Sequence, residues 1–327
     1  MRHFSKLMQH HARPTRAMLA VLAMTLSATL MTAPARAEKL TLLLDWFLNP
    51  DHAPLVVAEE KGFFAEAGLE VEMIEPADPN DPPKLVAAGK ADLAVSYQPQ
   101  LHIQAARGLP LARIGTLIAT PLNTLLVLDD SPIRSVADLK GKSVGFSVGG
   151  FEDALLAAML ARHGLSVADI ELINVNFSLS PALLSGQVDA VIGAFRNFEL
   201  NQLEIEGYKG RAFYVEEEGV PAYDELILVA HRGRLEDPRI DAFLSAIERA
   251  VQYLVNHPEE SWGLFVRHRK DLDDELNRRA WRDTLPRFAL RPRALDHARY
   301  AAFAEFLLKQ GVIETSPPTE TYAVEIR

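Results

Sequence analysis

The residues best placed to do chemistry stand just past apolar, strand-like runs. Asp45 and Trp46 close the run Lys39–Leu44, Tyr97 follows Ala91–Ser96, and Phe195, Asn197 and Glu199 follow Val188–Ile192. Aromatic faces beside carboxylates and an amide suit a flat heteroaromatic ligand, which needs π-surfaces and a few directed polar groups. Each residue also has a plain structural reading. Trp46 reads as a core or hinge residue, because Trp is usually largely buried. Tyr97 reads as packing beneath a cleft, and Glu199 as a first-turn acid favoured by the helix dipole.

A third stretch, Ser147-Val148-Gly149-Gly150-Phe151-Glu152, joins a strand to a helix. Free backbone N–H groups in such a turn can hold an anionic or polar ligand group. Glu152 and Asp153 at the helix start compete with an anion, which favours a neutral ligand. The same stretch holds Gly145-Phe146-Ser147-Val148-Gly149, a G-x-S-x-G pattern. Asp189 or Asp224 and then His231 keep the Ser, acid, His order of a hydrolase. No HGGG-type oxyanion segment precedes it. A secreted serine hydrolase using Ser147 is therefore a distant alternative, and no catalytic residue is expected.

The chain has no cysteine, which removes thiol nucleophiles, disulfides and Cys-ligated metal together. No HExxH occurs, and the calcium-like run Asp271–Leu276 puts Leu276 where the turn needs Gly. Neither a metal nor a cofactor is expected.

These residues need a scaffold, and the chain alternates strand and helix. Lys39–Leu44, Leu69–Ile74 and Ala91–Ser96 read as strands, separated by helices at Pro54–Lys61 and Pro82–Ala88. That order argues for a largely parallel α/β sheet. A second unit follows the connecting strand Thr124–Leu128. It has strands at Ser143–Phe146, Ile170–Val175 and Val188–Ile192, with helices at Glu152–His163 and Pro181–Leu184. Leu226–Ala230 is a further β run. The tail is helical: Ile240, Phe243, Leu244, Ile247, Val251 and Leu254 keep a 3.6-residue period, and Pro258 is expected to stop that helix.

One internal echo organises the whole. Gly89-Lys90-Ala91-Asp92 and Gly186-Gln187-Val188-Asp189 both read as helix end, turn, Asp and buried strand. Ligands of open parallel sheets sit beyond the carboxyl ends of strands. Two such ends, one per unit, can face each other across a cleft.

Charge limits the partners. The 327 residues carry a formal −10, with 34 basic and 44 acidic side chains. Five of the basic residues and none of the acids lie in residues 1–37, so the rest carries −15. Such a body repels phosphate backbones, and nucleic-acid binding is not expected. The basic start, the apolar run Ala17–Met31 and the Ala35-Arg36-Ala37 site read as a signal peptide over residues 1–37, cleaved before Glu38.

Several phrases resemble one family. Glu60-Lys61-Gly62-Phe63-Phe64-Ala65-Glu66-Ala67-Gly68-Leu69 and Val136-Ala137-Asp138-Leu139-Lys140-Gly141-Lys142 are similar to periplasmic solute-binding proteins of ABC importers, in the branch for nitrate, sulfonates and thiamine precursors. So are the two Gly-x-x-Asp phrases. Asp45-Trp46-Phe47-Leu48-Asn49-Pro50-Asp51-His52, Gly193–Glu199 and Gly219–Leu226 resemble the subgroup that binds hydroxymethylpyrimidine or formylaminopyrimidine.

The resemblance implies a two-lobed, type II periplasmic-binding-protein-like α/β fold, each lobe a mixed sheet flanked by helices. Lobe 1 is expected at 38–126 plus 227–327 and lobe 2 at 127–226, with the ligand cleft between them. It implies a periplasmic monomer that carries a pyrimidine to ABC permease and ATPase subunits. Another small aromatic, or a sulfonate or nitrate, is the alternative ligand.

The ring would lie between Trp46 and Phe195, with Glu199 on its exocyclic amine. Asp45, Asn49, His52, Tyr97, Ser147, Gly149, Asn197 and Tyr223 complete the expected site, with a helix-start contact as the rival reading of His52. Pyrimidine synthases share this fold. They carry a Cys-rich segment and a lysine for pyridoxal phosphate, so the resemblance does not extend to synthesis here.

Overall fold

The strand-like runs pair into two five-stranded sheets in the computed structural model, which describes residues 37–326. The expected signal peptide, apart from Ala37, lies outside them. The first sheet holds β1 (Glu38–Leu43), β2 (Leu69–Ile74), β3 (Leu93–Ser96), β4 (Leu111–Ile118) and, from much later in the chain, β10 (Leu226–His231). Its order is β2-β1-β3-β10-β4. The second holds β5 (Asn123–Leu128), β6 (Ser143–Phe146), β7 (Glu171–Asn174), β8 (Ala190–Phe195) and β9 (Gly210–Tyr214), in the order β7-β6-β8-β5-β9. In each sheet the fourth strand alone runs antiparallel to its neighbours. β5 belongs wholly to the second sheet. The first crossing between sheets therefore falls at residues 119–122, ahead of the expected boundary at 126, and the second at 215–225.

The repeated Gly-x-x-Asp phrase has a structural cause. Gly89 (φ 69°) and Gly186 (φ 72°) take left-handed conformations. They close α3 (Pro82–Ala87) and α6 (Leu179–Leu184) as C-terminal caps. Three residues on, each Asp clips the start of the neighbouring strand. Asp92 Oδ2 accepts the Thr41 amide, and Asp189 Oδ2 accepts the Ser143 amide, both at 2.9 Å. These clips set equivalent registers, Leu42 opposite Leu93 and Val144 opposite Ala190. Both pairs of parallel strands then deliver their carboxyl ends to the same gap.

Four elements go beyond the sequence reading: α4 (Gln98–Ala106), β4, β9 and a helix that begins at Pro258. In β4, Arg113 and Gly115 break the apolar pattern, yet the whole strand is buried. The two terminal nitrogens of the Arg113 guanidinium donate to the carbonyls of Pro292, Arg293 and Val324 and to the Thr116 hydroxyl. Pro258 starts a helix as well as following one. α8 (Pro238–Asn256) ends before it, and Pro258 is the first residue of α9 (Pro258–His268). Proline suits that position, whose N–H has no partner in the helix. The apolar stripe of α8 is buried, with Phe243 stacked on Phe64 at 5.4 Å.

A cavity walled by aromatic rings and carboxylates

The strand ends of both sheets line one cavity of about 440 Å³, mouth included. Six of the expected residues line it: Asp45, Trp46, Asn49, Tyr97, Phe195 and Glu199. Asp51, Glu152 and Gly193 join them.

On the first-sheet side, Asp45 is buried and fixed by two side chains. Asn49 caps the turn Pro50–His52, accepting the Asp51 amide at 2.8 Å and donating its own amide to His52 Nδ1 at 3.3 Å. Nε2 of His52 then carries the proton and donates it to Asp45 Oδ1 at 2.8 Å. The Tyr97 hydroxyl donates to Asp45 Oδ2, also at 2.8 Å. Burial and this carboxylate hold the Tyr97 pKa well above the usual phenol value, so it stays a donor. His52 is thus a helix-start contact behind the cavity, and it orients Asp45. Trp46 is half-buried, with its edge on Phe177 of the opposite side at 4.7 Å. Tyr97 both lines the cavity and packs, stacking on Phe151 at 4.8 Å.

The second-sheet side uses backbone amides instead. Glu152 opens α5 (Glu152–Arg162) and folds back so that Oε2 accepts the Ser147 amide at 2.7 Å. The backbone amides ahead of the helix favour its charged form, yet burial dominates and raises its pKa to about 8. Glu199 opens α7 (Glu199–Ile205) and accepts the Phe195 amide at 2.6 Å. Burial pushes its pKa up to about 7. Glu199 is therefore both the first-turn acid of the plain reading and a cavity wall.

Five expected residues stand elsewhere. Besides His52, Asn197 reaches from the second-sheet side to Asp51 Oδ1 and Thr284 Oγ1, both at 2.7 Å. Asp51 itself lines the cavity, and burial raises its pKa to about 6. The sequence reading missed it, although it lies inside the Asp45–His52 phrase. The Gly149 amide donates to Asn80 Oδ1 at 2.9 Å, joining the two sides near Ser147. The Ser147 hydroxyl donates to the Asn176 carbonyl. Tyr223 is buried at the crossings. Its hydroxyl donates to Glu225 Oε2 at 3.0 Å, and the same oxygen accepts the Leu122 and Asn123 amides. Burial raises the Glu225 pKa to about 7.

The hydrolase alternative has no assembled triad. Asp189 is bound to Ser143 and Lys142, Asp224 to Thr116 and Arg299, and His231 to the Gly233 amide.

Two mixed sheets joined by two crossings, with a cavity at their facing strand ends, define the periplasmic-binding-protein fold. The periplasmic aliphatic sulphonate binding protein of Escherichia coli matches it with a TM-score of 0.65 at 18% identity, over 87% of this chain and 91% of that one. The chain belongs to the family described as NMT1/THI5 like, whose model matches residues 49–261. A relative from Haemophilus influenzae, named as a thiamine biosynthesis protein, is 58% identical over 91% of this chain and 95% of its own. The formylaminopyrimidine-binding protein of Halalkalibacterium halodurans is 33% identical over 73% of this chain and 72% of its own. The family also includes an enzyme name. The 4-amino-5-hydroxymethyl-2-methylpyrimidine phosphate synthase of Legionella pneumophila is 28% identical over 79% of this chain and 83% of its own.

Proposed function

We propose that this chain is the substrate-binding component of an ABC importer. It captures a thiamine-precursor pyrimidine, of the hydroxymethylpyrimidine or formylaminopyrimidine kind, in the periplasm and delivers it to the permease and its ATPase. The observation that carries this reading is the make-up of the cavity wall. Trp46 and Phe195 supply ring faces, Asp45, Asp51, Glu152 and Glu199 supply carboxylates, and among the described lining residues none is basic. A flat ring with an exocyclic amine meets both needs, the faces by stacking and the carboxylates by donating to them. A sulfonate or nitrate would meet acids with no cation to offset them. Closure of the lobes on the ring would favour one conformation and present it to the permease.

Delivery without chemistry is the reading for this chain. The Cys-rich segment and cofactor lysine of the resembling synthases find no match in a cysteine-free chain whose described cavity wall holds no lysine. Calorimetry with hydroxymethylpyrimidine and formylaminopyrimidine tests the proposal. One of them should bind at one site per chain. Failure of both, in protein that melts cooperatively, sinks it.

A further inference from the structure

Two helices of the second lobe begin at the cavity wall, and each begins with a glutamate. The amides of Ser147 and Val148, in the turn that leads from β6 into the 11-residue α5, are the kind of donors an oxyanion seeks. Here the chain fills them itself. Glu152 is buried, and its Oε2 lies 2.7 Å from the Ser147 nitrogen. The neighbouring strand is cut back to admit it. Gly193 takes φ +100°, and a Cβ there would sit 2.4 Å from the Glu152 carboxyl carbon. Any side chain at 193 would displace the carboxylate. A backbone donor on one side and a missing side chain on the other thus fix the carboxylate at this spot.

We infer that Glu152 is the specificity-determining residue of the cleft, an internal carboxylate that occupies the oxyanion position and restricts the site to uncharged or donor-rich ligands. The ligand admitted rests on the pyrimidine reading above; the exclusion of anions does not. The Arg107 guanidinium lies against Gly150 of the same turn, and the groups that bear on Glu152 itself are acids and a phenol. They are Glu225, Asp153 and Tyr97, with Asp45, Asp51 and Glu199 around the same cavity. With its pKa raised to about 8, Glu152 is largely protonated at neutral pH. Charged or protonated, it keeps Oε2 on the Ser147 amide and so holds the turn closed to an anion.

The test titrates the exported protein with sulfate and with methanesulfonate at a pH of about 5.5. Glu199, with a pKa of about 7, and Asp51, with one of about 6, are then mostly neutral. Wild type should show no saturable anion binding. Glu152→Ala frees the Ser147 amide and should bind one anion per chain, at least roughly tenfold tighter than any residual uptake by wild type, the gain of one charge-assisted hydrogen bond. Glu152→Gln keeps an acceptor in place and should gain nothing. An Ala variant that melts like wild type yet binds no anion overturns the inference, and so does a Gln variant that gains as much as Ala. Should Glu152→Ala fail to fold, Glu152→Ser is read the same way, Ser being favoured at helix starts. A pyrimidine titration of wild type keeps the two readings apart. If wild type ignores pyrimidines while Glu152→Ala takes up sulfate, the pyrimidine reading falls and the anion exclusion stands.

Discussion

The two sheets place equivalent positions around the cavity and fill them differently. Aligning Leu42–Leu93 with Val144–Ala190 puts Asp45 level with Ser147, and Ser96 level with Gly193. The Asp92 and Asp189 clips coincide as well. Beyond the clips the lobes diverge. The first lobe projects its carboxylate from the strand end itself and holds it with the His52 and Tyr97 side chains. The second presents backbone amides at its strand ends and plugs them with Glu152 and Glu199 from the following helices. One topology thus yields a carboxylate wall on both sides by opposite means. The framework sets where strand ends point, and the residues just past them set what they offer.

The largest effect should come from the position where the lobes differ most tightly. Gly193→Ala forces a side chain into left-handed backbone and against the Glu152 carboxylate. Left-handed strain of about 1–2 kcal/mol and overpacking of about 1–3 kcal/mol together predict a loss of roughly 2–5 kcal/mol. At the equivalent position, Ser96→Ala removes one hydrogen bond to Gln100 and should cost only about 1 kcal/mol. Urea melts of both variants measure the contrast. Equal losses would mean that Gly193 is not shaped around Glu152.

Next come the two walls as ligand contacts. Cutting a stacking platform to Ala costs about 1–3 kcal/mol, so Trp46→Ala should weaken pyrimidine binding roughly five- to 150-fold. Glu199→Ala should cost a similar factor, about 1.5–3 kcal/mol for a hydrogen bond to a charged group. It should cost much less for an analogue whose exocyclic amine is replaced by hydrogen. Calorimetry on both proteins with both ligands closes a double-mutant cycle. Equal weakening of the two ligands would show that Glu199 does not read the amine.

Much of this was legible in the sequence, and the exceptions share a cause. Strands with clean apolar runs, such as Ser143–Phe146, and the Gly-x-x-Asp caps are local signals, and they appear where expected. β4 hides because the Arg113 guanidinium is hydrogen-bonded by carbonyls some 180 residues away, a contact that no local pattern encodes. The site divides in the same way. Trp46, Phe195 and Glu199 stand at strand ends or helix starts, and the cavity finds them there. His52, Asn197 and Tyr223 are polar residues of the same phrases, but their partners are Asp45, Asp51 and Glu225, so they hold the frame. Asp51 was overlooked because its partner Asn197 lies in the other lobe.

The paired clips give a smaller contrast. Asp189→Ala loses bonds to the Ser143 amide and hydroxyl, a cost of about 1–2 kcal/mol. Asp92→Ala also loses bonds to Arg234 and Arg239, against one to Lys142 at Asp189, so it should cost somewhat more. The two changes sit in separate sheets, and chemical denaturation of the double variant should show them adding within about 0.5 kcal/mol. A clear excess would mean that one sheet depends on the other for its register.

A last contrast is carried by pH, and it falls mainly on the second lobe and the crossings. Glu152 at about 8, and Glu199 and Glu225 at about 7, all have folded pKa values above their ordinary 4.5. A carboxyl group with a raised folded pKa binds more protons folded than unfolded. Its contribution is complete below about 4.5 and is lost as pH rises through the folded value. Buried His102, lowered to about 3, works the other way, but only below its ordinary 6.5. Between pH 6.5 and 8.5 the glutamates act alone, so the unliganded protein should lose stability as pH rises. Calorimetric melts should show Tm falling steadily across this range, at about 2–4 °C per kcal/mol for a chain of this order of size. Glu152→Gln, neutral throughout, should lose less Tm over this range than wild type. Asp51→Asn, on the first-lobe side with a folded value of about 6, should leave the slope nearly unchanged. If Asp51→Asn flattens the profile and Glu152→Gln does not, the titrating plug lies in the first lobe, and the contrast between the lobes is reversed.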